Sequence, residues 1–298
     1  MISNKSKIRK ALVPAAGFGT RFLPASKVIP KVMFPVIDKP IIQIVVEELV
    51  KSGITDITFV LKPHVEAVRQ HFQPFEALNL ILKNSGKEAE IEKLKKIEQM
   101  ADFHFVQQRE GRHGTGIAIL SAKDLIGSEP FVLCWSDEFF KADPPTPKQL
   151  IETYENHPGA VLGCIRTSNP NDGARYGFAV GDAIDKYVTK AKSLIEKPGV
   201  GKAPSELAQI GAMILPGEIF AYLEKADKEM EVNRELFYLD GLKLMMVDGY
   251  PVYALEYQNY KYYDTGDRFG YLKALVELGL ESEEIGVKFR EYLKGLKL

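Results

Sequence analysis

From Ile8 to Pro14 the chain is apolar apart from Arg9 and Lys10; it gives way to a loop rich in glycine and proline, and apolar positions resume with a different period. Ile41, Ile44, Val45 and Leu49 recur at helical spacing behind Asp38-Lys39-Pro40, and Gly53 marks a stop. That pattern predicts a helix with proline in its first turn, where a missing amide costs nothing. Ile54 to Leu61 reads as a buried strand and Pro63 to Phe72 as a second helix. Strand, helix, strand, helix in that order predicts a parallel sheet with helices on both faces.

Further along, Ser85 to Met100 is charge-rich and helical, with a thin apolar stripe of Ile91, Leu94 and Ile97. His104 to Gln107 and Pro130 to Trp135 read as strands around the apolar helix Ile117 to Leu125. Val161 to Arg166, Tyr176 to Val180, Leu194-Ile195 and Gln209 to Met213 are further strand candidates. Leu236, Leu239, Leu242 and Met246 space out a helix over Glu235 to Val247. Tyr250 to Tyr263 holds six tyrosines, which suit a half-wet, strand-rich packing layer. Two helices, Arg268 to Leu278 and Ser282 to Leu296, end the pattern. The expected class is α/β, a Rossmann-like mixed, mostly parallel sheet. No low-complexity linker or internal repeat divides the 298 residues, so one domain is expected. Its N-terminal half would cover about 8–140, its C-terminal half about 141–280, and its terminal helices 267–298.

Charged residues make up 27% of the chain and nearly cancel, leaving a formal net charge of -1. That balance argues against general nucleic-acid or membrane-surface binding, which would want a basic excess. Lys5, Lys7, Arg9 and Lys10 precede a short apolar stretch that carries Pro14 and leads into Arg21. This reads as a tail feeding a buried strand rather than a signal peptide, and no run is apolar enough to span a bilayer. Cys134 and Cys164 each sit in an apolar run and offer neither a disulfide framework nor metal-ligand spacing. Two reduced core thiols in a cytosolic protein are the expectation.

Against that neutral background the loop from Ala15 to Pro35 stands out. Gly17 and Gly19 allow a tight turn and close approach to a ligand. Their amides, with that of Thr20, can converge on an anion. Arg21, Lys27 and Lys31 add cations on a backbone stiffened by Pro24, Pro30 and Pro35. A strand, a glycine turn and fixed cations suit a polyphosphate. No Gly-Lys-Ser/Thr closes the loop as in a P-loop, and the dinucleotide spacing is missing after Gly19. The blander alternative is a turn with solvated cations.

The run Ala-Gly-Phe-Gly-Thr-Arg-Phe-Leu-Pro-Ala-Ser-Lys-Val-Ile-Pro-Lys, residues 16–31, resembles the signature loop of the sugar-nucleotide pyrophosphorylases, the sugar-1-phosphate nucleotidyltransferases. Four more segments match in the family's order. They are Gln108 to Gly116, Trp135-Ser136-Asp137, Tyr176-Gly177 with Glu196-Lys197-Pro198, and Asp264-Thr265-Gly266. The resemblance covers Lys10 to about Leu280 and implies the nucleotidyltransferase fold, similar to glycosyltransferase A. It places nucleotide binding in the N-terminal half and sugar binding in the C-terminal half.

By that resemblance Ala15, Ala16, Gly17, Gly19 and Thr20 contact substrate, and Arg21 and Lys31 hold the triphosphate. Gln108 and Gly114 would read a pyrimidine edge, an amide being suitable because it offers donor and acceptor together. The loop is one residue longer than the usual pattern, and another register puts Arg109 in the place of Gln108. Gly177, Glu196 and Gly211 would meet the sugar, and Lys197 its phosphate. Asp137 and Asp264 would share Mg²⁺, which commonly takes one or two carboxylates plus phosphate oxygens. Read alone, Asp137 is a helix cap or strand-end turn, Asp264 a turn residue and Glu196-Lys197 a surface ion pair. Departures are Val32 where glutamate is usual, Ser136 for glycine, Ile117 for histidine, and Ala212 near an aromatic position.

The resemblance is nearest the uridylyl-transferring members. It implies UTP and glucose 1-phosphate giving UDP-glucose and pyrophosphate in a homodimer or homotetramer. Transfer of another nucleotide or to another sugar is the nearest alternative. A nucleotide-sugar-binding regulator that has lost turnover is the alternative of another class.

Overall fold

The structure, a computed structural model, describes residues 7–63, 65–231 and 233–297. Lys5 of the basic tail and His64 of the expected second helix lie outside them.

The chain enters through β1 (Lys10–Pro14), crosses the glycine loop, and makes a two-rung ladder of β2 (Pro35–Val36) and β3 (Lys39–Pro40). There follow α1 (Ile41–Lys51), β4 (Asp56–Leu61), α2 (Ala67–Phe72), α3 (Glu76–Asn84), α4 (Glu88–Glu98) and β5 (Asp102–Gln107). Next come α5 (Thr115–Ser121), α6 (Lys123–Ile126), β6 (Phe131–Leu133), β7 (Glu138–Ala142), α7 (Thr146–Asn156) and β8 (Ala160–Arg166). The later part holds β9 (Gly177–Ala183), β10 (Val188–Glu196), β11 (Leu207–Leu215), α8 (Ile219–Glu229) and α9 (Tyr238–Val247). It ends with β12 (Val252–Glu256), β13 (Tyr260–Asp264), α10 (Arg268–Glu281) and α11 (Gly286–Lys294).

Nine strands form one sheet in the order β5-β4-β1-β6-β11-β8-β12-β10-β9, and β9 also pairs with β11. The first four are parallel, as the alternating N-terminal pattern predicts. Beyond β6 the pairings are antiparallel except β8 with β12, so the sheet is mixed. The unbroken apolar run of β1 has a direct cause. Ala11 and Val13 face one core cluster and Leu12 the other, and all three are fully buried. Helix α1 packs Ile41, Ile42, Val45 and Leu49 into the first cluster; α5, α8 and α9 fill the second with Ile119, Leu223 and Leu242.

Differences from the expected elements have local reasons. Pro40 caps α1 from outside rather than starting it, with an extended backbone at φ −59° and ψ 147°. The charge-rich stretch folds as α4 over Glu88–Glu98, and a separate α3 precedes it. The expected pair Leu194-Ile195 is the end of the nine-residue β10, whose Lys190, Lys192 and Ser193 disguise it. Strand β7, which lies outside the main sheet, pairs antiparallel with β13 and sets Glu138 opposite Asp264. Cys134 and Cys164 are buried free thiols, and no helix of the described residues is long and apolar enough to cross a membrane.

Candidate active site

Ligands of open α/β sheets sit beyond the carboxyl ends of the parallel strands. Here those ends are tied to one another. Ala15 donates its amide to the Val60 carbonyl at 2.8 Å, Gln108 to Leu61 at 2.8 Å, and the Ser136 hydroxyl to Pro14 at 2.6 Å. They enclose a cavity of about 470 Å³ lined by Ala15, Ala16, Gly17, Lys31, Gln108, Gly114 and Asp137 among others. Gly19 holds a left-handed φ of 60°, and a Cβ there would stand 3.2 Å from the Cβ atoms of Lys31 and Ser26. The bare glycine therefore lets the loop fold back so that the Lys31 stem closes over it. The Lys31 ammonium ends on the Asp137 carboxylate.

The far wall comes from another part of the chain. The Leu236 amide donates to the His113 carbonyl at 2.9 Å, and the Gly116 amide to the Leu236 carbonyl at 2.8 Å. Gly114 sits in this seam with φ 115°, where a Cβ would run into the Leu236 carbonyl.

A second cavity of about 360 Å³ lies beside the first and takes in Arg175, Gly177, Glu196, Lys197, Gln209 and Tyr238. Thr115, Trp135, Asp137 and Phe237 border both. Across the sheet, Gly177 pairs with Glu196 on one side and with Gln209 on the other. A Cβ on Gly177 would stand 2.8 Å from the Glu196 carboxylate, so glycine leaves the floor open. Lys197 takes a positive φ of 41°, unusual for a side-chain-bearing residue, and its amide bonds Tyr176 at 3.2 Å.

Asp137 stands where the two cavities join, and Asp264 lies close by, lining a third cavity with Arg175 and Tyr176. Thr265 fixes the Asp137 carbonyl with its amide at 3.1 Å and its hydroxyl at 2.6 Å. Asp264 accepts from the Gly266 amide at 2.7 Å and from Arg175 at 2.8 Å. A Cβ on Gly266 would stand 2.8 Å from Asp264 Oδ1, 3.4 Å from Asp137 Oδ2 and 3.9 Å from Arg21 Nη1. Two carboxylates and a guanidinium thus face one point that glycine keeps clear. Among the described residues no group of three or more histidine, cysteine or acidic side chains converges on a metal position. The pair instead fits a hard cation such as Mg²⁺, which takes its other ligands from phosphate and water.

Glu138 is the third acid. Tyr262 donates to it at 2.5 Å and the Gly211 amide at 2.8 Å. Burial, reinforced by Asp137 and Asp264, lifts its carboxyl from the ordinary 4.5 to about 8 in spite of those donors.

Most of the residues singled out in the sequence thus come together. Gly19, Thr20 and Arg21 line neither cavity; Thr20 and Arg21 are exposed, and Arg21 donates to the Gly266 carbonyl at 3.4 Å. Gln108 lines the first cavity, whereas Arg109 is exposed and bonds Ser121 through its amide. Gly211 departs from expectation. It lines neither cavity, because its amide is spent on Glu138 and its left-handed φ of 71° presses it against Phe140.

The family described as nucleotidyl transferase matches residues 10–279. The chain belongs to the nucleotidyl transferase family. This nucleotidyl transferase is 37% identical to the UTP–glucose-1-phosphate uridylyltransferase of Staphylococcus epidermidis, over 98% of this chain and 99% of that one. It is 39% identical to UTP–glucose-1-phosphate uridylyltransferase 2 of Staphylococcus saprophyticus, with 98% and 99% covered. Its structure is similar to a UDP-glucose pyrophosphorylase from Acinetobacter baumannii, with TM-score 0.84, 30% identity, and 97% and 100% coverage. It is also similar to a UDP-glucose pyrophosphorylase complexed with UDP-glucose, with TM-score 0.79, 30% identity, and 92% and 100% coverage.

Sequence reasoning gives no part in the site to four wall residues of this nucleotidyl transferase: Thr115, Trp135, Phe237 and Tyr238. Resemblance places Gln209 only in a strand closing the sugar pocket, and Glu235 matches a family position without a role.

Proposed function

We propose that the protein transfers a uridylyl group from UTP to glucose 1-phosphate, giving UDP-glucose and pyrophosphate. One observation carries the reading. Asp137 stands on the wall shared by two cavities, one flanked by the glycine loop and Lys31, the other by Glu196 and Lys197. Two anionic substrates would therefore meet end to end at a carboxylate. The names of the relatives, and the UDP-glucose and UTP named with similar structures, support the choice of substrates.

In this reaction a phosphate oxygen of the sugar phosphate forms a bond to the α-phosphorus of UTP. The bond from that phosphorus to the β-phosphate bridging oxygen breaks, and its electron pair leaves with pyrophosphate. The nucleophile is already ionised at neutral pH, so no general base is needed. Alignment and cover for mutually repelling anions are the main demands. Lys197 would hold the sugar phosphate, Arg21 and Lys31 the triphosphate. The amides of the Ala15 to Thr20 loop would cradle its oxygens. Asp137 and Asp264 would hold Mg²⁺, which when bound supplies positive charge against the phosphate oxygens.

Gln108 beside Gly114 in the first cavity supports a pyrimidine reading of the base. Such a site rejects cytosine, whose edge reverses a donor and an acceptor. Thymine differs from uracil by one methyl, worth only about 1–3 kcal/mol.

The test is a matrix of nucleoside triphosphates against several sugar 1-phosphates, read by pyrophosphate release with and without Mg²⁺. UTP should rank first, TTP second, and CTP, ATP and GTP far behind. A preference for ATP or GTP overturns the uridylyl reading. Tight nucleotide-sugar binding with no turnover for any pair overturns the enzymatic one.

A further inference from the structure

Gln209 sits at one end of a single rung that runs across three strands. Its partner on β9 is Gly177, and the partner of Gly177 on β10 is Glu196. Residues directly opposite in a ladder project on the same side of the sheet. The rung therefore presents a carboxamide, a bare glycine and a carboxylate in a row. Adjacent strands lie roughly 4.8 Å apart, so the backbones of Gln209 and Glu196 are separated by roughly 10 Å. The Glu196 carboxylate leans toward Gly177, 2.8 Å from where a Cβ there would stand. All three residues line the second cavity, with Lys197 beside Glu196.

The carboxamide is held from above. The Tyr238 hydroxyl donates to Gln209 Oε1 at 2.6 Å. Tyr238 is itself buried, fastened by its amide to the Thr115 hydroxyl at 3.1 Å and packed 5.9 Å from the Trp135 ring. Gln209 Nε2 is buried without a hydrogen-bond partner among the described residues. A buried donor left unpaired is costly, and such groups usually have a purpose. Turning the carboxamide over would pair Nε2 with Tyr238 and leave Oε1 unpaired, so in either orientation one polar end is unspent.

We infer that Gln209, positioned by Tyr238, is a specificity-determining residue of the sugar site. Its free end would hydrogen-bond a ring hydroxyl on the side of the sugar opposite Glu196. This rests on the reading of the second cavity as a sugar 1-phosphate site. It adds a second, opposed polar contact to the Glu196-Lys197 pair, which makes the site sensitive to hydroxyl position as well as to the phosphate.

The experiment uses the full chain with glucose 1-phosphate and a series of monodeoxy glucose 1-phosphates. The parent protein, Gln209→Leu and Tyr238→Phe are compared by kcat/KM. One deoxy position should cost the parent roughly tenfold, the loss of one buried hydrogen bond. In Gln209→Leu that penalty should vanish while penalties at the other positions stay. In Tyr238→Phe the same penalty should shrink and no other. The KM for the nucleoside triphosphate should move less than twofold in both.

A penalty that persists unchanged in Gln209→Leu overturns the inference. So does a uniform loss for every sugar and for the nucleotide, which marks a packing role. Should Gln209→Leu not fold, Gln209→Met, nearly equal in length, makes the same subtraction. If the parent turns over another sugar 1-phosphate or another nucleotide instead, the glucose or uridylyl reading fails separately. The deoxy series of the accepted sugar then decides on Gln209.

Discussion

Asp137 and Asp264 each hold a cationic side chain from a different part of the chain, and both should respond alike to removal. Asp137 carries the Lys31 ammonium, Asp264 the Arg175 guanidinium. Replacing either aspartate by alanine should lower turnover about a hundredfold, equivalent to roughly 3 kcal/mol of barrier. The melting temperature should stay close to that of the parent. Steady-state rates and thermal melts check both, and near-normal turnover in Asp264→Ala would remove the paired site. On the proposed mechanism Lys31 would face the phosphorus where charge gathers during transfer. Lys31→Ala should therefore reduce kcat more than it weakens nucleotide binding measured by calorimetry. Equal losses would mark a residue that merely binds. These side chains were legible in the sequence because they sit in short contiguous runs. Trp135 and Phe237 were not, since their part depends on strands and helices far apart in the chain meeting at one wall.

At the level of elements, the seam between the 108–116 loop and the start of α9 decides the shape of the first cavity. Its narrowest point is Gly114, whose Cβ would meet the Leu236 carbonyl. Gly114→Ala adds that clash to a backbone at φ 115°, strain on the order of 1–3 kcal/mol. The expected outcome is a lower denaturation midpoint and nucleotide affinity reduced more than sugar-phosphate affinity. Unchanged affinity for the nucleotide would detach this seam from the nucleotide site. Long, strongly periodic elements such as β1, α1 and β4 were readable because their faces are buried throughout. Strand β7 was not readable. Its Glu-Phe-Phe-Lys-Ala run follows at once on the Ser136-Asp137 turn that ends the preceding apolar run, and its partner β13 lies more than a hundred residues away. Helix α3 went unread although Leu78 and Leu82 recur at helical spacing; both are only half-buried and no residue of the helix is fully buried.

For the molecule as a whole, the parallel half of the sheet followed from local order, whereas the pairing of β6 with β11 joins segments that no local pattern connects. Two half-buried acids stand against β7. Glu138 is its first residue, and near its middle Glu48 of α1 accepts from the Thr146 hydroxyl at 2.6 Å, the Thr146 amide at 3.2 Å and the Phe140 amide at 3.4 Å. Burial raises both carboxyls, that of Glu138 from 4.5 to about 8. In that window the folded protein keeps protons that the unfolded chain has released. Unfolding there releases protons, so rising pH favours it. This contribution to stability is complete below 4.5 and is lost as pH passes through the folded value of about 8. His71 acts in the opposite sense, because burial lowers it from 6.5 and the unfolded chain gains the proton first. Between 6.5 and about 8 the histidine is neutral in both states and the acids dominate. Unfolding free energy from urea titration in magnesium-free buffer should therefore fall across that interval. The slope for one group is at most about 1.4 kcal/mol per pH unit. Glu138→Gln, which has no proton to lose, should flatten it, and an equal slope in that variant would mean that Glu138 is already ionised in the folded protein.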